Sequence, residues 1–134
     1  MQQIAGLITA ISSLVLGGIL AGAVHEYSHA LTGLLLGGKV EWIRPFATSA
    51  GQAATFISGL LPFEYGIVAN AGMAGATLSG MLAVTLIPWK RLDAVYSLIL
   101  AFLLLPFALN PLPLLLAPKL HEGDTGVLKQ WFPS

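Results

Sequence analysis

Five consecutive residues, His25-Glu26-Tyr27-Ser28-His29, carry most of the chemistry this chain offers. On a helix, positions four apart share a face, so both imidazoles can reach one ion while Glu26 stands beside the first of them. Neutral imidazole suits zinc, which in catalytic sites takes three protein ligands and keeps a fourth position for water. Zinc lowers the pKa of that water toward about 7 and polarises a carbonyl, and Glu26 is placed to take the water's proton. The bland alternative is two histidines and a glutamate that merely hydrogen-bond between helices or lie at a membrane surface. Ionisable side chains within apolar segments are costly, and three of them within five residues point to a site. A haem or chlorin is a second ligand to weigh, but ligation of one macrocycle face asks for one histidine, not two on adjacent turns with an acid between them.

A third protein ligand must come from elsewhere, and the acidic residues outside the motif are Glu41, Glu64, Asp93, Glu122 and Asp124. Asp93 lies beside Lys90 and Arg91 and reads as a surface charge, Glu41 falls in an expected hairpin, and Glu64 precedes an apolar span. His121, Glu122 and Asp124 remain as a dense cluster after a proline-broken helix. An unwound segment of that kind is tolerated at membrane depth where it is buried in protein or lines a wet cavity.

The elements that must position these residues follow from composition. Of 134 residues, 56% are hydrophobic and 9% charged, where a soluble domain carries about a quarter charged. Six basic and six acidic residues cancel to zero, so there is neither a basic field for nucleic acid nor an acidic tail. The absence of cysteine excludes disulfides, thiolate metal sites and cysteine nucleophiles. Three stretches reach the roughly 20 apolar residues a bilayer span needs. They are Ile4 to Val24, with apolar character resuming from Ala30 to Leu36; Tyr65 to Trp89; and Ala94 to Pro118, interrupted by Pro106, Pro111 and Pro113. Phe56 to Phe63 is too short to cross and suits a re-entrant or interfacial segment. The first stretch has no Lys or Arg before it and outruns a signal peptide, so it reads as a retained span. Lys39 and Arg44 follow the first span and Lys90 and Arg91 the second, so the positive-inside rule gives no orientation.

Between the first two spans, Gly37-Gly38 ends a helix and Val40-Glu41-Trp42-Ile43-Arg44 reads as a short strand. A second extended piece within Ala47 to Thr55 would complete a hairpin whose edge could accept an extended peptide. In the second span, Ala71, Gly75 and Ser79 form one line of small residues and Gly72, Ala76 and Gly80 its neighbour, suited to close helix packing within the chain or, alternatively, to a homo-oligomer seam. Gly18 and Gly22 invite the same reading. The expected architecture is an all-α polytopic membrane protein, one domain over residues 1–134, with about three transmembrane helices and a small membrane-embedded hairpin or re-entrant segment. It is integral to the lipid bilayer and multi-pass.

At this point the sequence resembles the site-2 proteases, intramembrane zinc metalloproteases with the H-E-x-x-H pair on a transmembrane helix. His25 to His29, then Ala30-Leu31-Thr32-Gly33 and Leu36-Gly37-Gly38-Lys39-Val40, are similar to that family's zinc helix and its exit into a membrane-embedded hairpin. Ala71-Gly72 falls where the family has Ala-Gly-Pro followed by Asn, with Met73 and Ala76 in place of the last two. Asn110-Pro111-Leu112-Pro113 resembles its Asn-x-x-Pro, and Asp124 stands for the aspartate of its Leu-Asp-Gly, which is absent here. The resemblance implies that His25, His29 and Asp124 hold Zn2+, with Glu122 and His121 as competitors for the third place. It also implies that Glu26 is the general base and that Asn110 positions substrate backbone or the bound water. The implied reaction is hydrolysis of a peptide bond in or near the membrane-spanning part of a protein substrate. The rival is a non-catalytic small subunit of a larger membrane complex, with a retained metal site or with a pigment or haem on its histidines.

Overall fold

The computed structural model describes residues 1–49 and 51–111. Without an internal proline, the first apolar stretch and the H-E-x-x-H motif run together as one helix, α1 (Gln2–Leu35), of 34 residues. At 1.5 Å per residue this is about 51 Å, longer than a bilayer core of about 30 Å. The helix ends as its glycines predict. Gly37 takes φ +87°, and the Gly37 and Gly38 amides donate to the carbonyls of Leu34 and Gly33 at 3.0 and 2.8 Å, which satisfies two of the orphan carbonyls at a helix terminus.

Strands β1 (Lys39–Arg44) and β2 (Ala54–Ser58) form an antiparallel pair. The register runs from Lys39 opposite Ser58 to Arg44 opposite Ala54, with an irregularity between Val40 and Trp42 that leaves Glu41 as the extra residue. The hairpin expectation therefore holds for its first strand, but the second strand takes only Ala54 and Thr55 of the expected Ala47 to Thr55 piece and continues through Ser58. No separate re-entrant segment forms from Phe56 to Phe63: its first part is β2 and its last residues open the next helix. The fold is thus mostly helical with a two-stranded sheet. Ile57 is buried and fills the notch left by Gly33, where a Cβ would come 2.6 Å from Ile57 Cδ1. Phe56 points the other way and stacks on Trp42 with ring centroids 6.0 Å apart.

Helix α2 (Pro62–Leu86) begins with a proline at its first position, where the missing N–H costs nothing. The Leu61 amide donates to Glu64 Oε2 at 2.6 Å, so Glu64 caps this helix and is engaged away from the histidines. A 3-10 turn, Trp89–Arg91, leads to α3 (Ala94–Leu109). Asp93 proves to be the α3 N-cap, accepting from the Val95 and Tyr96 amides at 3.0 Å each. Helix α3 continues through Pro106 rather than breaking there; the part of the third expected span beyond residue 111 lies outside the described residues.

The interior is built from small residues. Ala21 packs with Leu104 and Phe107, and Val24, Ala83, Ile87 and Trp89 surround them. Gly72, Ala76 and Gly80 lie on the buried side of α2, so that line serves packing within the chain; Gly80 faces Phe107 and Gly75 faces Ser28. On α1 the close approach to α3 is at Gly17, against the Leu103 carbonyl, while a Cβ at Gly18 or Gly22 would meet nothing within 4 Å among the described residues. The expectation for that glycine pair is corrected accordingly.

Large apolar side chains such as Ile4, Leu7, Ile11, Leu78 and Leu82 point outward, whereas Ser13, Glu26 and His29 are buried. That distribution is inverted relative to a water-soluble chain. Both α1 and α2 are long and apolar enough to cross a membrane, and only 17% and 28% of their most apolar windows are buried, which separates them from core helices of a soluble fold.

Candidate metal centre

All three chemistry-bearing residues of the motif lie on the inner side of the last third of α1, where α2, α3 and β2 meet it. Their ligand atoms fall within 4.8 Å of one another, and the two imidazole rings meet edge to face at 4.6 Å with an 81° angle between planes. His29 is buried, and its Nδ1 lies 2.6 Å from the Val68 carbonyl of α2. A carbonyl can only accept, so Nδ1 carries the proton and, in the neutral ring, Nε2 carries the lone pair. His25 is arranged likewise: its Nδ1 lies 3.0 Å from Asn110 Oδ1 at the end of α3. With that oxygen accepting, Nε2 of His25 is also the nitrogen without the proton in the neutral ring.

Both Nε2 atoms face Gly72. A Cβ there would lie 2.5 Å from His25 Nε2 and 2.5 Å from His29 Nε2, so only a residue without a side chain lets α2 come this close to both imidazoles. Ligand atoms of His25, Glu26 and His29 within 4.8 Å of one another suit a small ion with zinc–imidazole bonds of about 2.0–2.1 Å. The donor set and the outer hydrogen bonds that fix both tautomers fit a zinc-type ion. Asp124, Glu122 and His121, the third-ligand candidates, lie outside the described residues.

Glu26 is 7% exposed, and the Thr55 hydroxyl of β2 lies 2.8 Å from its Oε2 and 3.0 Å from its main-chain oxygen. Beside it opens a cavity of about 420 Å3 lined by Glu26, His29, Arg44, Thr55 and Tyr65 among others. Residues 52–57 contribute a continuous stretch of the wall, while β1 contributes only Arg44. The hairpin side nearest the carboxylate is therefore β2, not the Val40 to Ile43 stretch. Arg44 is steadied by the Trp42 ring, 5.5 Å away.

Glu41 stands apart from the site. Its carboxylate accepts from Ser58 Oγ at 2.7 Å and pairs with Lys39 at 3.0 Å, and these partners, Ser58 foremost, hold its pKa below the ordinary value. Thr55, Val68 and Gly72 contribute to the centre in ways the motif alone did not indicate. Val68 acts through its backbone, which leaves no mark in side-chain chemistry, and Thr55 sits in a stretch without polar patterning. Gly72 stood out only as a packing residue and as part of the Ala71-Gly72 pair.

Neither the curated proteins nor the solved structures yield a match to this chain. The Peptidase M50B-like family does match, over residues 4–117, a range that takes in α1, the hairpin, α2, α3 and Asn110 and stops short of His121. With that match covering most of the chain, and with a His-Glu-His cluster on an apolar helix, this membrane protein belongs to the Peptidase M50B-like family, the site-2 protease type that its motif resembles.

Proposed function

We propose that the chain is an intramembrane zinc metalloprotease, multi-pass with α3 and the residues after it as a third crossing, and that it hydrolyses a peptide bond in an extended segment of a membrane protein substrate. The observation that carries this reading is the approach of the ligand atoms of His25, Glu26 and His29 to within 4.8 Å of one another, with both Nδ1 atoms engaged so that the Nε2 atoms are the donors. His25 and His29 would hold the ion, and Asp124 is our assignment for the third ligand. Zinc bound there would supply a water of lowered pKa and a polarised scissile carbonyl.

The protein's own part is positional. Asn110 and the Val68 carbonyl orient the ligand rings. Glu26 takes a proton from the attacking water and returns it to the leaving amine. A helical peptide bond has its carbonyl engaged, so the substrate must be locally extended. The edge of β2, which lines the cavity beside Glu26, offers backbone groups to an added strand. With Oδ1 of Asn110 on His25, its amide Nδ2 is the group left to meet substrate backbone.

The test is Glu26→Gln in detergent-purified protein, with fluorescein-labelled casein as an extended probe. Retained zinc with cleavage reduced at least about a thousandfold is expected, as for loss of a general base together with its electrostatic role. Cleavage by this variant at the wild-type rate would exclude the mechanism. Wild-type protein that binds zinc but cleaves nothing would favour a non-catalytic subunit.

A further inference from the structure

The buried carboxylate of Glu26 draws its side-chain hydrogen bond from the hairpin rather than from its own helix. In β2, Thr55 and Ile57 turn toward α1, one onto Glu26 and the other into the Gly33 notch, while Phe56 turns away onto Trp42. The strand thus docks on the zinc-motif helix through one apolar and one polar contact two residues apart. A threonine hydroxyl has a single proton. Two acceptors lie within reach, Oε2 at 2.8 Å and the Glu26 main-chain oxygen at 3.0 Å. The shorter contact is to the carboxylate, the stronger acceptor when ionised.

Resting on the protease reading above, we propose that Thr55 is the positioning residue of the hydrolytic base. Its hydroxyl donates to Oε2 and holds the Glu26 carboxylate in one rotamer, so that the other oxygen serves the water and then the leaving amine. When Glu26 carries the proton between those two partners, the same hydroxyl keeps the side chain in place. Thr55 also belongs to the strand that lines the cavity, so the segment that a substrate would extend and the group that acts on it are joined by one side chain. Strand docking and base alignment become a single event. A hairpin lifted from α1 would leave Glu26 without this partner.

The test is Thr55→Val, which keeps the shape and β-branching and removes the hydroxyl, set beside Thr55→Ser, which restores it. Loss of a hydrogen bond to a charged group corresponds to roughly a 10- to 100-fold effect. We expect kcat on fluorescein-labelled casein to fall by that factor in Thr55→Val, with KM and zinc content as in wild type, and Thr55→Ser to recover most of it. The second readout is equilibrium affinity for N-acetyl-leucyl-alanyl hydroxamate, whose N-hydroxyl group would donate to the Glu26 carboxylate on binding. Affinity should fall similarly in Thr55→Val, be restored by Thr55→Ser, and show no further loss when Thr55→Val is added to Glu26→Ala.

Thr55→Val equal to wild type in both readouts, Thr55→Ser as impaired as Thr55→Val, or an undiminished Thr55→Val effect in the Glu26→Ala background would each overturn this role while leaving the protease reading intact. Wild-type protein that neither cleaves casein nor binds the hydroxamate would overturn both.

Discussion

Replacing Gly72 by alanine probes the centre without touching a ligand. The new Cβ would lie 2.5 Å from both Nε2 atoms and 2.6 Å from His25 Cδ2, about 1 Å inside ordinary contact distance. Three adjustments could relieve the overlap, and each disturbs the site. Moving α2 away from α1 stretches the 2.6 Å bond from His29 to Val68, one turn earlier on the same helix. Rotating His25 breaks its 3.0 Å contact with Asn110. Leaving the rings in place presses a methyl group against both Nε2 atoms. Overpacking costs about 1–3 kcal/mol and a lost hydrogen bond about 1 kcal/mol, so the metal-competent arrangement is disfavoured by roughly 2–4 kcal/mol. Zinc affinity should accordingly fall about 30- to 1,000-fold.

Competition against a chromophoric chelator on detergent-purified protein measures this, with circular dichroism to establish that the helices persist. Gly18→Ala, whose Cβ meets nothing within 4 Å among the described residues, is the matched control and should bind zinc as wild type does. Gly72→Ala protein with wild-type zinc affinity would refute the placement of both imidazoles against α2.

Asn110→Ala should weaken zinc binding about 10- to 100-fold, the usual effect of removing a partner that orients a ligand histidine, and Asn110→Asp, which keeps an acceptor, should lose less; chelator competition reads both. Gly17→Ala, which drives a methyl into the Leu103 carbonyl of α3, should lower the thermal unfolding midpoint in detergent through about 1–3 kcal/mol of overpacking, whereas Gly22→Ala should leave it unchanged. Because Ser58 and Lys39 hold the Glu41 pKa below its ordinary value of 4.5, their support of the hairpin is complete above that value and is lost as pH falls through the depressed one. Amide protection in residues 39–58, corrected for the slower intrinsic exchange at low pH, should therefore fall on acidification in the wild type, and Glu41→Gln should remove that component without changing zinc content.

The His-Glu-His cluster was legible because its chemistry lies in three side chains at fixed helical spacing, and the end of α1 because Gly37-Gly38 supplies the conformation a helix terminus needs. The hairpin was half legible. β1 alternates in polarity, but β2 packs Ile57 on α1 and Phe56 on Trp42. Apolar side chains on both faces erase the period-2 signal. The small residues of α2 announced close packing, and the structure places Gly72, Ala76 and Gly80 inside. On α1 the same cue pointed to Gly18 and Gly22, although Gly17 is the contact, since spacing marks a face without saying which face meets a neighbour. The contacts that complete the centre join residues far apart in the chain: His25 to Asn110, His29 to the Val68 backbone, and Glu26 to Thr55. No local pattern encodes such pairings; they arise from how α2, α3 and β2 dock on α1.

The most direct measurement of the central claim is zinc stoichiometry by elemental analysis of detergent-purified wild-type, His25→Ala, His29→Ala and Asp124→Ala proteins prepared side by side. About one zinc per wild-type chain, absent from both histidine variants and reduced in Asp124→Ala, is the predicted result. Zinc-free wild-type protein, or histidine variants that keep a full equivalent, would contradict it.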